Sequence, residues 1–248
     1  MPKQVAGGLL AGNVSISLGA DGEPQAMLTH PEGGTCVVAV RGARVISWLP
    51  GQGGAERLAA EAGGLAPYRL DCLPETAWDI EPPRVGLTGE GAVAFSVFAE
   101  VPAGDAPEAP AAPLAARCTV SLWPRRLAVE LEVANAADDE DAAMEDASGP
   151  AADAPATSGA RLQLGRCGLR GHLAASGAPA AGQGPAAGAA AVEAAVAGLG
   201  LRLRAEGFED VAAKEAAAGG LELEALAPAE VALGAGEAVS GSLALELV

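Results

Sequence analysis

Few side chains in this sequence could move a proton, and most of them sit on short alternating segments. There are two histidines in 248 residues. His172 lies in CGLRGHLAAS, two positions after Arg170, and Glu222 and Glu224 alternate with leucine in LELEAL. Residues two apart on a strand share a face, so Arg170 and His172 point the same way, as do the two glutamates. An imidazole and a carboxylate on either side of a reacting carbon suit general acid–base chemistry. The plainer alternative is that Glu224 is a solvent-facing strand residue like Glu222, and that a lone histidine is a satisfied polar group. The second histidine, His30, opens HPEGGTCVVAVRGARVISWLPGQGGAERL, where it reads as a strand-end residue beside Pro31. The four cysteines (Cys36, Cys72, Cys118, Cys167) are far apart, with no CxxC and no Cys/His pair at metal-ligand spacing. They read as reduced, mostly buried thiols, and neither a metal nor a cofactor is implied.

The elements that must hold these residues are short strands. NVSISLG, QAMLTH, TCVVAVR and ARVISWL follow one another at roughly ten-residue intervals, and GAVAFSVFAE continues the series. ARCTVSLW, Pro124-Arg125-Arg126 and LAVELEVAN make the clearest hairpin. In its second arm Leu127, Val129, Leu131 and Val133 share one face and Glu130 and Glu132 the other, which predicts a sheet with one dry and one wet side. GLGLRLRAEGF, GLELEAL, AEVALG and SGSLALELV supply further strands. AAVEAAVAG (190–198) and DVAAKEAAAG (210–219) have helix-favouring composition but no convincing apolar stripe. With 34 Gly and 18 Pro and no alternating βα pattern, the expected fold is all-β, an antiparallel sandwich with short helices at most. A single domain over 1–248 is expected, with flexible insertions at about 102–113, 135–160 and 177–190. The second of these carries seven acids and no base, too little apolar surface to offset its ordering entropy.

Three pieces of the chain resemble the aldose 1-epimerase (galactose mutarotase-like) superfamily, in particular its hexose-6-phosphate 1-epimerase branch. The first is His30-Pro31, Gly33, then Gly42-Ala43, Val45, Ser47-Trp48, then Glu56 and Leu58. The second is the hairpin that closes on Val133-Ala134-Asn135, and the third is LELEAL followed by the turn Gly234, Gly236, Glu237, with Ala235 where proline is usual. The resemblance implies a β-supersandwich, with Trp48 expected as a core plug where two strands meet and a sugar-stacking platform as the alternative. It places Glu224 at the position of the family's catalytic glutamate. Where the family segment reads Ala-Leu-His-x-Tyr-Phe, Leu169 takes the leucine, Arg170 the histidine and His172 the tyrosine. The family's other histidine motif is not found in GGLAPYRLDCLPETAWDIEPP, where Arg69 is the only base. The resemblance therefore implies a degraded proton-transfer set. Glu224 and His172 are the catalytic pair only if the chain is active, and Arg69, Arg170 and Trp78 are the candidate substrate contacts.

The formal net charge of −17, with 15 Lys and Arg spread along the chain, argues against nucleic acid and anionic membrane as partners. No apolar run is long enough for a membrane span, and MPKQVAGGLLAGNVS is a poor signal peptide, so a soluble intracellular protein of plastid or cytoplasm is expected. The functional expectation is a carbohydrate-binding domain, with a sugar or sugar phosphate as ligand, or a scaffold subunit with protein partners. The GLRGHLAAS stretch is similar to the Ser-His-Leu-x-Val-Ser of a non-catalytic accessory subunit of the plastid (chloroplast) NADH-dehydrogenase-like complex. The alternative expectation is an active hexose-6-phosphate 1-epimerase using Glu224 and His172.

Overall fold

A computed structural model describes residues 14–70, 73–81, 92–103, 110, 112–137, 161–174, 191–196, 200–215, 220–227 and 231–248. Most of the three expected insertions lies outside them. The described residues form seventeen strands, joined in places by single 3-10 turns at 41–43, 60–62 and 75–77. In chain order the strands are β1 (Val14–Leu18), β2 (Pro24–Thr29), β3 (Thr35–Ala39), β4 (Arg44–Leu49), β5 (Leu65–Tyr68) and β6 (Trp78–Ile80). They continue as β7 (Val93–Val101), β8 (Leu114–Leu122), β9 (Arg126–Asn135), β10 (Leu162–Leu164), β11 (Gly168–Leu173) and β12 (Ala191–Val196). The last five are β13 (Leu201–Glu206), β14 (Asp210–Glu215), β15 (Leu221–Leu226), β16 (Val231–Leu233) and β17 (Ala238–Leu247).

One large sheet runs β1-β2-β3-β4-β5-β11-β15-β14, a second runs β12-β13-β17-β9-β8-β7-β6, and β10 pairs with β16. All pairings are antiparallel. The expected all-β sandwich is what the chain forms. Alternation explains it: in β8 and β9 every second residue is buried, and the register sets Leu122 opposite Leu127 and Val120 opposite Val129. Leu127, Val129, Leu131 and Val133 join one hydrophobic cluster that also takes in Leu28, Val38, Val45, Leu169 and Leu223 from the other sheet. Trp48 sits in that cluster with 0% exposure, as a core plug should. A tryptophan buries on the order of 200 Å², which matters in a chain with 3% aromatic residues.

Two motifs of the sequence turn out to be structural clamps. Glu56 reaches back to the end of β4: its carboxylate accepts from Ser47 Oγ (2.5 Å), Trp48 N (2.8 Å), Arg57 N (2.9 Å) and Leu58 N (2.9 Å). At the other end of the molecule Asn135 is buried, and its Nδ2 donates to the Leu233 carbonyl at 3.1 Å. Its backbone pairs with the turn before β17, accepting from Gly236 N and donating to Glu237 O. Gly236 adopts φ +70° there, a left-handed value that favours glycine. The Glu237 carboxylate closes the turn by accepting from Gly234 N at 2.7 Å. His30 is a buried strand-end residue whose Nδ1 accepts from the Glu32 N–H at 3.1 Å.

The helix-favouring composition of 190–198 and 210–219 does not yield helices among the described residues. Ala191–Val196 and Asp210–Glu215 are edge strands, each paired over six residues to its neighbour. Alanine's helix propensity is under 1 kcal/mol per residue and gives way to a strand template with unpaired backbone groups. That change of element matters for the site, because it brings Lys214 onto the sheet.

Candidate functional site

Four neighbouring strands of the first sheet, β5, β11, β15 and β14, present one dry and one polar face. Leu169, Leu173, Leu223, Ala225 and Val211 point into the core. Arg170 pairs with Glu224 on one side and Ala66 on the other, His172 pairs with Glu222, and Lys214 pairs with Glu222. Period-two alternation therefore puts Arg170, His172, Glu222, Glu224, Lys214 and Tyr68 on the face away from the core. Gly168 lets β11 approach β15 here, since a Cβ at that position would collide with the Ala225 carbonyl.

Arg170 organises the cluster. Its Nη2 lies 2.5 Å and its Nε 3.1 Å from Glu224 Oε1, and Nε lies 2.9 Å from Glu222 Oε1. Its guanidinium carbon stacks 3.9 Å from the centroid of the Tyr68 ring, a cation–π arrangement. Lys214 Nζ adds a second cation, 3.4 Å from Glu222 and 3.7 Å from Glu224. Arg69 follows Tyr68 with φ +59°, uncommon for a side chain with a Cβ, and its guanidinium lies 5.2 Å from the same ring. Among the described residues, Arg170 and Lys214 contact both carboxylates, and Arg69 lies beside the Tyr68 ring.

The electrostatics follow from this geometry. The hydrogen bond from Arg170 holds the Glu224 carboxyl below its ordinary range; burial pushes the other way, and Lys214 and Arg69 reinforce the depression. For Arg170, partial burial by itself disfavours the charge. The Glu224 hydrogen bond and the nearby Tyr68, Glu222 and Glu224 outweigh that and hold its pKa above the usual value. A carboxylate depressed in this way is a weaker base.

The structure thus brings Glu224, Arg170 and Arg69 together around Tyr68. His172 shares their face but serves a different neighbourhood. Its backbone N–H donates to Gly64 O and its carbonyl accepts from Ala59 N. Its ring packs toward Gly63, and its buried Nδ1 finds no hydrogen-bond partner among the described residues. Trp78 is on β6, at the edge of the other sheet, and is buried in the core cluster. Lys214 is hidden in the sequence because its segment has helix-favouring composition. Among the described residues no group of three or more His, Cys, Asp or Glu is arranged to hold a metal ion.

Comparison with known proteins supports the architecture. No protein-family description matches the chain, and no curated protein matches it. Solved structures do. A galactose mutarotase-like protein from Lactobacillus casei ATCC 334 superposes with a TM-score of 0.58 at 11% identity, over 90% of this chain and 100% of that one. A galactose mutarotase related enzyme from Lactobacillus acidophilus gives 0.56 at 6% identity, over 90% and 97%. The galactose 1-epimerase of Lactobacillus acidophilus NCFM gives 0.53 at 10% identity, over 94% and 97%. This chain therefore has the galactose mutarotase-like fold. No helix among the described residues is long and apolar enough to cross a membrane.

Proposed function

We propose that this chain is an epimerase-fold domain that binds an anionic carbohydrate, a sugar phosphate, at the Tyr68–Arg170–Glu224 cluster without interconverting its anomers. The observation that carries the reading is the Arg170–Glu224 contact. The carboxylate at the position resembling the family's base is already committed to a guanidinium, where an imidazole is the family's usual residue. Ring opening needs one group to take the anomeric proton and another to protonate the ring oxygen. A permanently charged arginine donates hydrogen bonds but does not release a proton at physiological pH. Loss of one positioned acid–base group costs about 10²–10⁴ in rate. Binding is another matter. Arg170, Lys214 and Arg69 beside the half-buried Tyr68 suit a sugar that carries a phosphate.

A second reading, an active hexose-6-phosphate 1-epimerase, draws on His172, whose Nδ1 has no hydrogen-bond partner among the described residues and which lies on the same sheet face. It requires the incoming phosphate to draw Arg170 off Glu224. A purely scaffolding role in a larger assembly, such as the plastid complex whose accessory subunit the GLRGHLAAS stretch resembles, would leave the cluster without a ligand.

Calorimetric titration with glucose 6-phosphate and with glucose separates these. The proposal expects saturable binding of the phosphorylated sugar, weaker binding of glucose, and loss of binding in Arg170→Ala and Arg69→Ala. No heat with either sugar would remove the binding site and leave the scaffold.

A further inference from the structure

Among the described residues, the first sheet has an unguarded edge. β1 has the sequence Val-Ser-Ile-Ser-Leu and pairs with β2 on one side only among the described residues. The other edge strands of the two large sheets each contain an acid by sequence: Asp79 in β6, Glu193 in β12, Asp210 and Glu215 in β14. Charged residues at edges oppose edge-to-edge pairing, and β1 has none. The exposed large apolar residues among those described are Ile16 (52%), Leu18 (72%), Met27 and the terminal Val248. Three of the four thus lie on β1 and its partner β2. Val14, Ile16 and Leu18 share the face that Leu28 and Ala26 turn into the core, so the apolar inner surface of the sheet runs outward past its cover.

We infer that β1 is a self-association edge, where two copies of this chain join antiparallel about a two-fold axis at Ile16 and extend the sheet across the dimer. Such pairing sets Ile16 on Ile16, Val14 on Leu18 and Ser15 on Ser17 of the second copy. The pattern apolar-Ser-apolar-Ser-apolar reads the same in both directions, so apolar residues meet apolar and serines meet serines in this register. The charge distribution also selects this edge. A chain with a net charge of −17 repels its own copies, and a strand free of carboxylates is where they meet with least repulsion. A ladder of five residues buries less than the roughly 1,000 Å² typical of a permanent interface, so the dimer forms in a concentration-dependent way. This inference is independent of the sugar site, which lies at the opposite end of the same sheet.

Sedimentation velocity of the full chain, from low micromolar to submillimolar concentration, tests it. The average mass should rise from 24.2 kDa toward twice that value. Ile16→Lys should weaken the association at least about tenfold while leaving the melting temperature of the dilute protein unchanged, because the residue is exposed. An equimolar mixture of Ile16→Lys and Ile16→Glu should recover the dimer, since only the two-fold at residue 16 brings the new charges together. Monomer at every concentration would overturn the inference, as would undiminished association of Ile16→Lys. Failure of the mixture to recover would overturn the Ile16-on-Ile16 register.

Discussion

Two glutamates of this protein invite comparison, because each accepts several short hydrogen bonds yet the two do different work. Glu56 is held by neutral dipoles, three backbone N–H groups and a hydroxyl, all from residues 47–58. Glu224 is held by a guanidinium 54 positions away in sequence, with a lysine beside it. The first arrangement ties a loop to the strand that carries Trp48 and has nothing to exchange with a ligand. The second neutralises charge across strands on a face that solvent reaches, so an anion could compete for the same cations. A carboxylate bound by backbone dipoles belongs to the frame; one bound by side-chain cations is a candidate for exchange with a ligand.

Removing the Glu56 carboxylate and, separately, the Arg170 guanidinium that holds Glu224 sharpens the contrast. Glu56→Ala leaves the Trp48, Arg57 and Leu58 N–H groups and the Ser47 hydroxyl short of an acceptor. Hydrogen bonds to charged groups contribute about 1.5–3 kcal/mol each and add imperfectly, so a loss of about 3–4 kcal/mol in urea-unfolding stability is expected. Arg170→Ala should cost less, about 1–3 kcal/mol, chiefly by leaving Glu222 and Glu224 close together with only Lys214 to offset them. Equal losses in the two variants would break the distinction.

The acid limb of stability reads the second glutamate. The carboxyl of Glu224 is held low mainly by the Arg170 hydrogen bond, against burial. A group whose folded pKa lies below its unfolded value contributes stability that is fully present above the unfolded value, near 4.3 for Glu, and is lost as pH falls through the lower folded value. The stability gap between wild type and Glu224→Gln should therefore be constant from neutral pH down to about 5 and close below about 4. A gap that widens on acidification would contradict the assigned direction.

The smallest effect concerns the buried thiols. Burial pushes the Cys36 thiol upward, with the Glu56 charge adding to it, and burial with Glu130 pushes the Cys118 thiol up to about 12. Neither should react with iodoacetamide at pH 8 in the folded protein, and both should react in denaturant. Rapid labelling of Cys36 in Glu56→Ala but not in wild type would show that the clamp also keeps this part of the core closed.

The frame was readable in advance because its signals are local. The hairpin around Pro124-Arg125-Arg126 is fixed by two alternating arms and a short connection, whereas Trp48 is expected inside from the family resemblance alone: strict alternation would set it on the face opposite Val45, and a register shift between β3 and β4 lets both be buried. The site was less legible. Glu224 and Arg170 stand out singly, but their pairing depends on the β11–β15 register across a long intervening segment. Lys214 was hidden further, because Asp-Val-Ala-Ala-Lys-Glu has the local preference of a helix and becomes a strand only by pairing with β15. The clamp by Glu56 was visible as a spacing after Trp48 but not as four hydrogen bonds to one carboxylate.

The most direct test of the account is magnetisation exchange between the α and β anomers of glucose 6-phosphate, measured by NMR with and without the protein. With Glu224 committed to Arg170, the exchange rate should stay at that of buffer while the sugar signals broaden on binding. An exchange rate that rises with protein concentration and falls back in Glu224→Gln would show that the carboxylate is free to act as a base, and would contradict the account.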